Sequence, residues 1–205
     1  MASLTQLQTL NLSDNQLTQL PEAIASLTQL QDLNLSRNQL TVLPEAITSL
    51  TQLQQLDLGN NQLTELPEAI ASLTQLQQLD FSHNQVTAMP EAITFLTQLQ
   101  QLNLSSNQLT ELPESIKNLT KLTSLSLSEN KFVSFPKVIT SLQGLRELYV
   151  IGNKIEQLPG EIGNLTQLRK LYLARISHEA GEKRSQKLPK YLLHMNSSSF
   201  KHDPS

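Results

Sequence analysis

The chain has 205 residues, 42 of them leucine, with no cysteine or tryptophan and only 4% aromatic residues. The missing cysteine excludes a disulfide framework, a thiolate metal site and a thiol nucleophile. A hydrophobic content of 38%, more than half of it leucine, argues against a two-layer enzyme domain with a mixed core. The net charge of −3 conceals a division. Residues 1–116 carry eleven acids and one base, and residues 117–205 carry seven acids and fourteen bases.

Along the chain, asparagine recurs every 23 residues, at Asn15, Asn38, Asn61, Asn84, Asn107, Asn130 and Asn153. Around each stands one apolar frame. In the second copy it reads Leu30, Leu33, Leu35, Asn38, Leu40, Leu43, Pro44, Ile47, Leu50. Later substitutions stay apolar: Phe81, Val86 and Met89 in the fourth copy, Phe132 and Phe135 in the sixth. Leu33-Asn34-Leu35-Ser36 alternates with the period of a half-buried strand. The asparagine that follows sits in a turn, where its amide can serve several buried backbone groups. Proline then suits a turn or a first helical position, and Ile47 and Leu50 are spaced for one inward-facing helical turn. Each copy is therefore a strand, an asparagine turn and a short helical or 3₁₀ return. Strands are expected near 9–13, 32–36, 55–59, 78–82, 101–105, 124–128, 147–151 and 170–174. One copy buries too little to offset the entropy of ordering it, so stability must come from stacking. Met1 aligns with Ile24, so the chain starts in mid-repeat, as a fragment or an engineered start would. Leu4, Leu7, Leu10 and Leu12 are then expected at an uncapped apolar end that favours weak self-association.

The division expected is seven repeats over 1–167, a stretched last repeat over 168–195 acting as a cap, and a frayed tail over 196–205. In that last copy Ile176 replaces the asparagine. Leu188-Pro189, Leu192 and Met195 restore the frame after an insert at 177–187.

The frame Leu-x-x-Leu-x-Leu-x-x-Asn-x-Leu-x-x-Leu-Pro-x-x-Ile-x-x-Leu resembles the leucine-rich repeat family. Its 23-residue length and Leu-Pro-x-x-Ile segment resemble the intracellular Ras-group type and its bacterial relatives, including the repeat arrays of Roco proteins. The resemblance covers roughly residues 4–173. It implies an α/β repeat solenoid, a horseshoe with a concave parallel sheet, that engages another protein.

On the concave face the central column reads Asn11, Asn34, Asp57, Asp80, Asn103, Ser126, Tyr149, Tyr172. The first six copies offer small amides, acids and hydroxyls. Copies seven and eight bring Tyr149, Ile151 and Tyr172 together, rimmed by Arg146, Glu147, Lys170 and Arg175. Tyrosine and arginine are favoured interface anchors, so this cluster is the expected partner site. Asp57 and Asp80 read as two hydrated, mildly repelling acids, and His83 as surface. The row Glu22, Glu45, Glu68, Glu91, Glu114 suits helix starts, so it is assigned to capping.

No phosphate-binding glycine loop, zinc-protease helix or nucleophile elbow is present. The reading is a non-catalytic scaffold with no cofactor or metal. No apolar run nears the ~18 residues of a membrane span, and no nucleic-acid motif accompanies the basic half. Glycosylation sequons at Asn11, Asn34 and Asn103 fall on the concave strands, where glycans would cover the sheet. That favours a cytoplasmic, bacterial or intracellular setting. Two alternatives to the scaffold stand: the repeat array of a larger signalling protein such as a Roco-type GTPase, and a structural, self-assembling rod.

Overall fold

The structure, a computed structural model, describes residues 4–173. Its described strands form one open parallel sheet: β1 (Thr9–Asn11), β2 (Asp32–Asn34), β3 (Gln55–Asp57), β4 (Gln78–Asp80), β5 (Gln101–Asn103), β6 (Ser124–Ser126), β7 (Glu147–Tyr149) and β8 (Lys170–Tyr172). Strand order follows the chain, and every pairing is shifted by one repeat: Thr9 with Asp32, Leu33 with Leu56, Tyr149 with Tyr172. This is the expected solenoid. The insert at 177–187, Arg175, the remainder of the cap and the tail lie outside the described residues.

The strands are shorter than the sequence suggests, three residues rather than five. The reason lies in the turn. The residue just before each asparagine is left-handed, with φ of 51–56° at Asp14, Arg37, Asn60, His83, Ser106 and Glu129, and 72° at Gly152. Extended geometry therefore ends early, yet the inter-repeat hydrogen bonds continue: Leu12 N–H donates to Asn34 O at 2.8 Å and Asp14 N–H to Ser36 O at 3.1 Å.

The return segments are five-residue 3₁₀ helices, from Glu22–Ser26 to Gly160–Asn164. Inward residues three apart in sequence eclipse one another in a 3₁₀ turn. Ile47 and Leu50 accordingly face the core together, both fully buried. The proline is not the first helical residue. Pro44, at φ −68° and ψ 148°, stands extended just before the helix, and its carbonyl accepts the Ile47 N–H at 3.1 Å. The glutamates Glu22, Glu45, Glu68, Glu91 and Glu114 stand in the first turn, the position expected of them. The residue before each helix is proline, and no side-chain cap bond forms at any of them. Their position in the first turn leaves them only a favourable interaction with the local dipole. Glu91 instead accepts a hydrogen bond from Ser115 of the next repeat.

The core is a continuous aliphatic column. Leu33, Leu35, Leu40, Leu43, Ile47 and Leu50 are each at most 3% exposed. In the first copy Leu7, Leu10, Leu12 and Leu17 are only half-buried, and Leu4 is exposed. Stacking seals a repeat only where both neighbours are present.

Candidate functional site

The asparagines tie each turn to the one before it. Asn61 Nδ2 donates to Leu58 O of its own turn and to Leu35 O of the preceding one, both at 3.0 Å. Its Oδ1 accepts the Leu40 N–H, also at 3.0 Å. Asn38, Asn84, Asn107 and Asn130 repeat the pattern and are buried, whereas Asn153 is half-buried. Asn15 is exposed and bonds only within its own turn, to Leu12 O and Ser13 O. These residues are structural, and they set the spacing at which concave side chains stand.

A second series of turn bonds was not foreseen from the sequence. In β1–β5 the central-column side chain bends back to accept the N–H two residues on: Asn11 from Ser13, Asn34 from Ser36, Asp57 from Gly59, Asp80 from Ser82 and Asn103 from Ser105, at 2.9–3.1 Å. The serine hydroxyls of Ser36, Ser82 and Ser105 add a bond of 2.6–2.7 Å to the same oxygen. Five consecutive Asn or Asp residues, four of them two positions before a serine, were the available signal. Asp57 alone in β2–β5 lacks that hydroxyl, because residue 59 is glycine. Its carboxyl is held above the usual carboxylate range by burial first, with repulsion from Asp80 adding to it.

At β7 and β8 the column changes character. Neither tyrosine can make the short turn bond, and both rings stand out from the sheet. They stack face to face, centroids 4.7 Å apart and planes 5° apart, a spacing set by the 23-residue register. The Tyr149 hydroxyl donates to Glu147 Oε2 at 2.8 Å, and Lys170 Nζ bridges Glu147 Oε1 at 2.7 Å. Lys170, with the tyrosine hydroxyl second, holds the Glu147 carboxyl below its ordinary range. Burial, with the bond to Glu147 second, pushes the Tyr149 phenol upward, and the same carboxylate raises Lys170.

The structure thus ties Tyr149, Glu147 and Lys170 together by hydrogen bonds and stacks Tyr172 on the Tyr149 ring. Arg146 is exposed, just ahead of β7. Ile151 is half-buried in the turn after β7, where its carbonyl accepts the Glu129 N–H. Arg169, not singled out in the sequence, stands one repeat on from Arg146 and adds a second exposed guanidinium. Its N–H donates to Arg146 O at 2.7 Å. Among the described residues no cluster of three or more acids and histidines is arranged to hold a metal, and no helix is long and apolar enough to cross a membrane.

A family model described as a leucine-rich repeat region matches residues 1–84 and 79–197. No curated protein matches the sequence. Among solved structures, a leucine-rich repeat protein of Leptospira interrogans is 33% identical; the match covers 84% of this chain and 56% of that one, at a TM-score of 0.58. An internalin (inlF) of Listeria monocytogenes is 31% identical over 82% of this chain and 48% of its own, at 0.73. The plant peptide hormone receptor RGFR1, solved in complex with RGF2, is 30% identical over 83% and 28%, at 0.72. The chain therefore spans from about a quarter to little more than half of the matched chains.

Proposed function

The chain belongs to the leucine-rich repeat family, and from that premise we propose that it is a non-catalytic interaction module whose partner, a protein, rests on the C-terminal third of the concave sheet. The stacked pair Tyr149–Tyr172 carries the proposal. Two rings already locked against each other present rigid contact area with little rotamer entropy left to lose. Tyr172 is still 37% exposed, the largest value of any tyrosine on the sheet face. Arg146 and Lys170 form the basic rim; Arg175, expected there from the sequence, lies outside the described residues.

The test is the double change Tyr149→Ala with Tyr172→Ala, measured by calorimetry on a partner recovered by cross-linking. Affinity should fall by at least ~2 kcal/mol, the range of an interface hot spot, while thermal unfolding shifts little. Gln55→Ala with Gln78→Ala on the same sheet is the control. A silent tyrosine pair beside a sensitive glutamine pair would move the site to the amide-rich strands.

A second reading draws on the modest share of its structural relatives that the chain spans. In it, the chain is the repeat part of a larger signalling protein of the intracellular Ras-group or bacterial type, a Roco-type GTPase being one. Recovery of a GTPase domain in the same open reading frame decides that reading. A cytoplasmic or bacterial setting is part of the proposal, supported by Asn103: its Nδ2, the atom a glycan would take, donates to Asp80 Oδ2 at 2.8 Å. Weak self-association through Leu4, Leu7, Leu10 and Leu12 is supported by the exposure of Leu4. A strict monomer in concentrated, low-salt sedimentation would remove it.

A further inference from the structure

Tyr149 has two ring faces, and the strand order separates them. Tyr172 in β8 covers one. The other looks toward β6, where its register partner is Ser126, a side chain too small to cover it. On that side lies a groove of about 330 Å³ that runs across β4–β7 and ends on Tyr149; Tyr172 does not line it. Its floor and walls include Asp80, Gln101, Asn103, Ser124 and Ser126, and no lysine or arginine.

The lining is rich in acceptors. Ser124 and Ser126 make no side-chain hydrogen bond to another described residue, in contrast to Ser82 and Ser105, whose hydroxyls are held by Asp80 and Asn103. Asp80 and, one strand further, Asp57 give that end of the groove a negative field, which acts over ~10 Å at 0.1 M salt. The Tyr149 hydroxyl donates to an ionised Glu147, which makes its ring a stronger π donor. The nearest cation of the cluster, Lys170, is engaged by that same carboxylate.

We infer that this groove receives a guanidinium, the side chain of an arginine on an extended partner segment, stacked on the free face of Tyr149 above Ser126. The inference rests on the concave-face reading and adds the chemistry of the residue recognised. Stacked neighbours stand ~4.8 Å apart in the strand-to-strand direction. A flat group laid on Tyr149 therefore occupies the place above β6 that a third tyrosine would fill. A guanidinium is planar, weakly hydrated and able to stack while its N–H groups point at the serine hydroxyls and the Gln101 amide oxygen. The opposing pull comes from the exposed Arg146 and Arg169, which favour an acidic residue at the sheet edge.

Titration of the full chain by nitrogen–proton NMR separates the two. The probes are acetyl-Gly-Gly-X-Gly-Gly-amide, with X as arginine, citrulline or glutamate. The arginine peptide should give saturable shifts at the amides of Asn103, Ser124 and Ser126. Citrulline, the same shape without charge, should bind about 2–5-fold more weakly, the worth of an exposed cation–π contact. Tyr149→Leu should bring the arginine peptide down to the citrulline level. Equal binding of arginine and citrulline to the unaltered protein overturns the guanidinium assignment. Tighter binding of the glutamate peptide at these amides overturns it too, while leaving the concave-face reading intact. Absence of saturable shifts on the concave face with all three peptides sinks both.

Discussion

In β1–β5 the central column is turned back on its own chain, and in β7–β8 it is turned outward. Asn11, Asn34, Asp57, Asp80 and Asn103 each hold the N–H two residues ahead. Tyr149 and Tyr172 stack on each other instead, and Tyr149 alone also donates to the neighbouring Glu147 carboxylate. One geometric position serves the turn in the first region and a surface in the second. A short Asn or Asp that closes a turn has little capacity left for a partner. Ser126 marks the boundary, since it makes no turn bond and is too small to cover its neighbour. Recognition is therefore expected where the turn bonds stop.

The comparison breaks first if the repeats do not depend on their buried amides. Asn84 sits between two complete repeats, donating to Leu58 O and Ser82 O at 3.0 Å and accepting from Leu63 at 2.9 Å. Asn84→Ala should cost about 1–3 kcal/mol, because it leaves buried backbone groups unpaired. Asn15→Ala, at an exposed rung whose bonds among the described residues stay within its own turn, should cost under ~1 kcal/mol. Urea midpoints measure both, and equal losses would show that burial is not what gives the ladder its value.

A somewhat smaller effect is expected at Gly152, the one glycine in the left-handed column. A Cβ there would overlap the Glu129 carboxylate. Gly152→Ala should destabilise by about 1–2 kcal/mol, from the left-handed backbone and the displaced glutamate together. In Gly152→Ala the Tyr149–Tyr172 stack should persist, since it precedes the turn. Near-ultraviolet circular dichroism reports on it. Loss of the tyrosine signal at unchanged stability would mean that the turn, not the strand register, positions the rings.

The smallest effect distinguishes the two carboxylates. Asp57 is raised in the fold, so in the pH window between its ordinary value of 3.8 and its folded value the native state holds more protons than the unfolded state. Stability contributed by this group then falls as pH rises through that window. Asp57→Asn keeps an oxygen for the Gly59 N–H and removes the charge, as Asn34 and Asn103 do in the same column. It should stabilise at neutral pH by well under ~1 kcal/mol for so open a site, with the gain vanishing below the ordinary carboxyl range. Glu147 behaves oppositely. Its lowered carboxyl supports the fold above 4.5 and loses that support as pH falls through its folded value. Denaturation midpoints across pH 3–7 for Asp57→Asn and Glu147→Gln check both signs; a matching pH trend in the two variants would contradict them.

Much of the architecture was legible in the primary structure because each rule acts within one repeat and then recurs. The apolar period marks the strand, the asparagine marks the turn, and the proline with its inward isoleucine marks the return. Copies of the same frame can bury that pattern only by stacking in register. Local pattern was insufficient for what depends on two copies at once. The left-handed residue before each asparagine is Asp, Arg, Asn, His, Ser, Glu or Gly, a column with no shared side chain, because the conformation is imposed by the neighbouring turns. Glu22, Glu45, Glu68, Glu91 and Glu114 stand in the first helical turn, where a carboxylate suits the local dipole, but with proline before each helix they add no side-chain cap bond. The nearness of Tyr149 to Tyr172 follows from the 23-residue repeat alone. Their parallel stack, the tie to Glu147 and Lys170, and the uncovered ring face above Ser126 were decided only by tertiary structure, where side chains 23 residues apart in sequence come within van der Waals reach across adjacent strands.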